Sequence, residues 1–307
     1  MKISQKITDF FNKHSRVLKS IYVIAIVILV AIAFNSIRKQ VEWNQILHSF
    51  GSLTTIKIVM LIALGLLSVV PMAIYDYEYV KQSHKDFKVS TILVNSYVIN
   101  TVTNLAGGGG LIGGSLRTYL FGKVKDVKQT IVQVSQIALF TLTGLSMNAI
   151  IVIIMHFFFH IKLNLFYWLV LIGFIAYLII LVFFRAKSLS HHDTILLLTG
   201  SFFEWICCLS FFVSIGLFLD YHFSIPSIYA LVTIAGMIGI ISFIPGGLGS
   251  FDSIMVAGMS MNGLNINQAL TWLIIYRVTY YILPFLVGIT LYFAKVIHNQ
   301  YIKKVRS

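Results

Sequence analysis

Apolar residues along this chain fall in long blocks, with neither the alternation of strands nor the narrow stripe of a surface helix. The blocks cover residues 21–34, 56–74, 89–106, 130–158, 165–184, 194–219, 227–244 and 268–294. Most approach the roughly 20 residues an α-helix needs to cross a bilayer; the first is short and borrows turns from residues 15–20. Two places break the pattern. Residues 104–117 read N-L-A-G-G-G-G-L-I-G-G-S-L-R, and residues 241–252 read I-S-F-I-P-G-G-L-G-S-F-D. Proline lacks an amide donor and glycine gives up backbone entropy, so both sites predict interrupted helices. In hydrocarbon the freed backbone groups have no water to bond, so such a break needs surrounding protein or a wet cavity. Two glycine-interrupted apolar segments in corresponding halves predict a transporter-like site near the bilayer midplane.

Composition supports this reading. Of 307 residues, 58% are hydrophobic and 11% charged, where a soluble domain carries about 25% charged residues. The expectation is one integral membrane domain over residues 1–307, all-α, a polytopic helix bundle with two Gly-rich re-entrant or broken-helix hairpins in inverted-repeat arrangement. The pieces left outside the bilayer are too short for a soluble catalytic domain. The formal charge of +13 is spread over short loops with no aromatic-lined basic groove, so direct nucleic-acid binding is not expected. Basic rims at an anionic membrane surface account for it. Cys207 and Cys208 are adjacent in an apolar run and read as packing. The basic amino terminus, apolar run and Ala31-Ile32-Ala33 imitate a cleavable signal, but with membrane segments filling the rest they read as a span.

The lysine and arginine distribution orients the chain. A third span without a return would leave Lys123, Lys125 and Lys128 outside; a hairpin at the glycine run brings them back in. With both breaks as hairpins, 17 basic residues lie inside and 4 outside, with Arg117 and Arg277 left within the membrane. The first hairpin then enters from the cytoplasm and the second from outside, and both termini are cytoplasmic. Residues 75–88 form an inside loop in this scheme.

Four ionisable residues fall at membrane depth: Arg117, Glu204, Asp252 and Arg277. Each costs about 2.5–3.5 kcal/mol there on insertion scales and needs an interior partner. One reading makes them a neutralising ion-pair network that holds the hairpins together. The other gives them a ligand. Ser115 as an N-cap would put Arg117 in the first helical turn, where free N–H groups and a guanidinium suit a phosphate. On that reading Arg117 serves transport rather than folding. Ser250 would cap the second hairpin in the same way, and Asp252 would complement the dipole or hold a cation. Helical spacing places Arg277, Tyr280 and Tyr281 on one face, ahead of a kinking Pro284; interface anchoring explains the tyrosines equally well. Asn95, Asn100 and Asn104 make the third span polar, either to line a hydrated path or to bond helix to helix. His156 and His160 lack the glutamate of a zinc-binding H-E-x-x-H. No catalytic residue, metal site or cofactor site is predicted.

The I-P-G-G-L-G-S-F-D element, the earlier glycine run and Y-R-V-T-Y-Y-I-L-P at residues 276–284 together resemble the transmembrane region of bacterial lysyl-phosphatidylglycerol synthases, the multiple peptide resistance factor family. The resemblance covers nearly the whole chain. It implies a flippase-type domain for aminoacylated phosphatidylglycerol, with Arg117, Gly246, Gly247, Gly249, Asp252 and Arg277 at its motif positions. Family members that make the lipid also carry a large soluble carboxy-terminal domain that transfers lysine from lysyl-tRNA, whereas this sequence ends at Ser307.

The function expected is therefore translocation of a phosphatidylglycerol-type lipid, lysylated in the leading case, across the bacterial cytoplasmic membrane. Such translocation would weaken binding of cationic antimicrobial peptides. Arg117 and Arg277 would hold the phosphate, Asp252 and Glu204 would balance ammonium groups, and Gly246, Gly247, Gly249 and Asn104 would shape the site. The implied partners are an anionic or lysylated phospholipid, a separate soluble synthase and further copies of the chain. Two rivals stand beside it: phosphatidylglycerol lysyltransferase activity, alone or with a soluble partner, and secondary transport of a small solute.

Overall fold

A computed structural model describes residues 53–306 together with Asn44 and Gly51, except residues 107–108, 125, 186–188, 243–244 and 248. The expected first span, residues 21–34, lies outside the described residues. The elements are α1 (Thr55–Leu67), a 3₁₀ turn (Val70–Met72), α2 (Ala73–Gln82), α3 (Val89–Ala106), α4 (Gly109–Phe121), α5 (Val127–Phe140), α6 (Thr143–Phe159), α7 (Leu165–Arg185), α8 (His191–Phe218), α9 (Ile225–Ile241), a 3₁₀ turn (Pro245–Gly247), α10 (Ser250–Met261), α11 (Ile266–Tyr276), a π-helical turn (Arg277–Ile282) and α12 (Leu283–Arg306). The protein is an all-α, multi-pass membrane bundle. Among the described residues five helical segments are long and apolar enough to cross a bilayer: Thr55–Gln82, Val127–Phe159, Leu165–Phe183, His191–Phe218 and Ile266–Ile297. Large apolar side chains such as Phe157, Phe158, Leu165 and Phe183 stay exposed, as lipid-facing surfaces require and a water-facing surface would not tolerate at this extent.

Three polar contacts join the α1–α2 segment to α8 along their lengths. Lys57 pairs with Asp220 at 2.5 Å, Tyr75 donates its hydroxyl to Glu204, and Lys81 pairs with Asp193. The pairing runs antiparallel, so the lower-numbered end of one segment meets the higher-numbered end of the other. Residues 73–82 are therefore helical, which corrects the expected inside loop at 75–88. Asp76 and Glu78 within it are completely buried.

The expected span at 130–158 is two helices, α5 and α6, broken at Thr141–Leu142 without proline or glycine. The break is stabilised from outside. The carbonyl of Thr141 accepts from the Trp205 indole at 2.7 Å and the Ser201 hydroxyl at 3.1 Å, and the Gly144 amide donates to the same hydroxyl at 2.8 Å. These bonds supply the partners that a broken helix lacks in hydrocarbon. Gly144 lies so close to the Ser201 backbone that no side chain fits between α6 and α8, the close approach that small residues permit in membrane helices.

Helices α3 and α4 also run antiparallel. Asn100 reaches Arg117, and at the other end Lys85 donates to the carbonyls of Phe121 and Lys123 at 2.9 and 3.0 Å. The connection at 107–108 lies outside the described residues. α9 and α10 pair in the same sense, with Gly239 near Phe251 and Gly258 near Leu231. Helix α4 is about 20 Å long and α10 about 18 Å at 1.5 Å per residue, both shorter than the hydrocarbon core. α3 also packs against the Pro245–Gly247 turn, which puts the asparagine-bearing α3 beside the second break.

Candidate functional site

The residues singled out from the sequence fall into two clusters. The first surrounds Arg117. Its Nε donates to Asp76 Oδ1 at 2.9 Å and its Nη2 to Asn100 Oδ1 at 3.3 Å, while Asn100 Nδ2 donates to Asp76 Oδ2 at 2.8 Å. The triangle is closed, and the side chains of Arg117 and Asp76 are only 6% and 0% exposed. Glu204, bound by the Tyr75 hydroxyl, lies within electrostatic reach of Arg117. Asp76 was missed in the sequence. Its signal was the tyrosine-rich A-I-Y-D-Y-E-Y-V run, in which apolar and aromatic neighbours bury two carboxylates just ahead of the basic rim.

Arg117 does not stand at a helix start. Helix α4 begins at Gly109, so Ser115 lies inside it rather than at its N-cap, and Arg117 lies two turns beyond the free amides. Arg117 therefore has no free helix-start amides beside it to share an anion. Nor do the four ionisable groups neutralise one another as a single network: Arg117 uses Asp76, and Arg277 uses Asp252. Asn104, one turn from Asn100, donates its amide to the Met72 sulfur at 3.5 Å.

The second cluster is built on the Pro-Gly-Gly turn. Gly246, Gly247 and Gly249 have φ of 61°, 65° and 87°, a region that side chains disfavour, so glycine is what lets the chain turn here. Gly249 rather than Ser250 is the N-cap of α10, and Asp252 occupies the third position, where its carboxylate accepts from the Gly249 amide at 3.0 Å. The negative charge thus sits where the helix dipole favours it. Opposite it, Arg277 donates from Nη1 to the Gly246 carbonyl at 2.5 Å and from Nη2 to Asp252 Oδ1 at 2.9 Å. Its guanidinium lies 5.1 Å from the Tyr281 ring centre and 5.4 Å from that of Phe251, within cation–π range. Tyr280 turns instead to stack on Tyr276 at 5.2 Å. The π-helical turn precedes Pro284 and absorbs the backbone mismatch that proline imposes.

The two arginine pairs differ in access. Asp252 is 19% exposed where Asp76 is 0%, and among the described residues Arg277 Nε is buried without an acceptor. A buried unsatisfied donor is uncommon and calls for an explanation.

Residues 188–288 match the family described as the Lysylphosphatidylglycerol synthase TM region. That match covers about a third of the chain. Similarity extends well beyond that segment. The chain is 28% identical over 287 aligned residues to a phosphatidylglycerol lysyltransferase of Staphylococcus aureus strain COL, covering 91% of this chain and 34% of that protein. It is 27% identical over 292 residues to the enzyme of that name from Staphylococcus haemolyticus strain JCSC1435, with the same coverage of each. The chain thus spans about a third of the length of the curated relatives it matches. Within the matched residues lie Glu204 and the whole second cluster, whereas Asp76, Asn100, Asn104 and Arg117 precede them.

Proposed function

We propose that this membrane domain translocates a phosphatidylglycerol-type phospholipid, the lysylated form above all, between leaflets of the bacterial cytoplasmic membrane. The single observation that carries the proposal is the spare Nε donor of buried Arg277, in an ion pair whose acidic half is partly open. Lysyl-phosphatidylglycerol presents one phosphate and two ammonium groups. Its phosphate can take the Arg277 donors while an ammonium takes the released Asp252 carboxylate. Each charge then exchanges one partner for another, and no ion is left unpaired in a low-dielectric interior, where an isolated charge costs several kcal/mol. The glycine turn lets backbone approach the headgroup without side chains in the way, and the acyl chains remain in lipid. The Arg117–Asp76–Asn100 triangle braces α2, α3 and α4 beside this route.

The names of the relatives support phosphatidylglycerol as the lipid class. The test is exposure of lysyl-phosphatidylglycerol in the outer leaflet of proteoliposomes, read with a membrane-impermeant amine reagent. The wild-type chain should exceed empty vesicles. Arg277→Lys, which keeps the charge but cannot fork between a backbone carbonyl and a carboxylate, should lose about tenfold or more in rate, the scale of one charge-assisted hydrogen bond. Unchanged exposure by a folded Arg277→Lys protein would remove this site from the pathway. No exposure above empty vesicles by the folded wild-type chain would overturn translocation itself.

A further inference from the structure

A separate feature lies on the lipid-facing side, between the α1–α2 break, α3 and α12. Ser68 and the Val70–Met72 turn interrupt the first described span, and the offset between α1 and α2 leaves a cavity of about 260 Å³ with Val69, Val70, Leu93, Val94, Tyr97 and Leu291 among its walls. The one polar wall group, the Tyr97 hydroxyl, is committed to the Leu66 carbonyl at 3.3 Å, so the cavity is apolar. Val70 and Leu93 remain 42% and 47% exposed, which opens it sideways to the bilayer.

One helical turn beyond Leu291 stands Lys295. Its ammonium donates to Asn95 Oδ1 at 2.5 Å, and among the described residues it has no acidic partner. Asn95, one residue from Val94, is 2% exposed, and its Nδ2 has no acceptor among the described residues. Lys295 is half-buried and Asn95 buried, and the two side chains share the one Asn95 carbonyl while the buried amide lacks an acceptor among the described residues, an arrangement short of acceptors. The missing component is an anion with more than one oxygen. Lys295 lies near the end of the Ile266–Ile297 segment, toward the same end as the Lys85–Phe121 contact, because α3 and α12 run antiparallel. A headgroup at Lys295 would thus sit at interface depth, with the apolar cavity beside it and reaching deeper at Tyr97 and Leu291.

We infer that Asn95, Lys295 and the adjoining cavity form a seat for an anionic phospholipid, its phosphate on the Lys295 and Asn95 donors and one acyl chain in the cavity. The seat is distinct from the Arg277 site and does not depend on translocation. An anion with no acyl chain would satisfy the donors but leave the cavity idle, and a neutral lipid tail would do the reverse. The association of both features on α3 and α12 selects the phospholipid.

The experiment incorporates the full chain into phosphatidylcholine nanodiscs doped with phosphatidylglycerol, releases it into mild detergent and counts retained lipids by native mass spectrometry. The wild-type chain should retain phosphatidylglycerol in preference to phosphatidylcholine. Lys295→Gln should reduce that retention about tenfold, Lys295→Arg should restore most of it, and Val94→Trp, which fills the cavity and keeps the cation, should reduce it as well. Circular dichroism melting of each variant keeps loss of fold from passing for loss of site. Retention unchanged in folded Lys295→Gln would overturn the proposal. It would equally be overturned if Val94→Trp retained the lipid fully while inorganic phosphate displaced it at millimolar concentration, since the site would then bind free phosphate.

Discussion

Removing the cation from the Arg117–Asp76 pair should be far more damaging than removing the whole pair. In Arg117→Met the Asp76 carboxylate, 0% exposed, loses the Nε contact at 2.9 Å and keeps the Asn100 amide at 2.8 Å. Asn100 Oδ1 in turn loses its 3.3 Å donor. Breaking a buried pair by deleting one partner costs about 3–5 kcal/mol, because an uncompensated charge stays inside. In the double variant Arg117→Met with Asp76→Leu neither charge of the pair remains, and replacing a buried pair by apolar residues of similar volume is often close to neutral. Asn100 is left short of partners, which adds about 1–3 kcal/mol. The double variant should therefore be more stable than Arg117→Met, with a coupling term of about 2 kcal/mol or more in a cycle that includes Asp76→Leu. The assay is reversible unfolding in mixed micelles titrated with denaturing detergent, on all four proteins. If Arg117→Met were as stable as the double variant, Asp76 would not be the buried counter-charge of Arg117 and the bracing role would fail. Lipid translocation measured on the same proteins separates folding from transport, which the single Arg117 substitution cannot do.

Two glycine substitutions probe the packing that positions the site. Gly144→Ala places a methyl group onto the Ser201 carbonyl; overpacking of that kind costs about 1–3 kcal/mol, and an unchanged unfolding transition would show that α6 and α8 are not in backbone contact there. Gly246→Ala puts a side chain at φ 61°, for a loss of about 1–2 kcal/mol. Gly236→Ala inside α9, where the nearest atom to an added methyl is 3.8 Å away, should instead be neutral or stabilising by up to about 1 kcal/mol. Equal effects at 236 and 246 in the same unfolding assay would contradict the turn geometry.

The long apolar blocks made the helical membrane bundle legible from composition alone, because only length and hydropathy decide whether a segment can span. The second break was legible for a local reason: Pro-Gly-Gly followed by Gly-Ser-Phe-Asp encodes both a turn and the carboxylate of a helix start. The first break was harder to place. Glycines normally weaken a helix by about 1 kcal/mol each, yet Gly113 and Gly114 lie within α4, where α3 and α5 come so close that Thr103 and Val134 leave little or no room for side chains. Tertiary packing overrode local propensity there and displaced the cap assigned to Ser115. The break at Thr141 left no signal in its own residues, since the groups that stabilise it, Ser201 and Trp205, lie some 60 positions downstream. Asp76 was hidden because charge near a basic rim resembles a loop, and only the partner supplied by α4 reveals it as interior.

The bonds between Thr141, Gly144, Ser201 and Trp205 have a mechanical consequence. With no side chain separating their backbones and three hydrogen bonds across the kink, α6 and α8 cannot slide past each other without exposing polar groups to hydrocarbon. They form a stator. Any alternation of access from one leaflet to the other must then be performed by other parts moving against it.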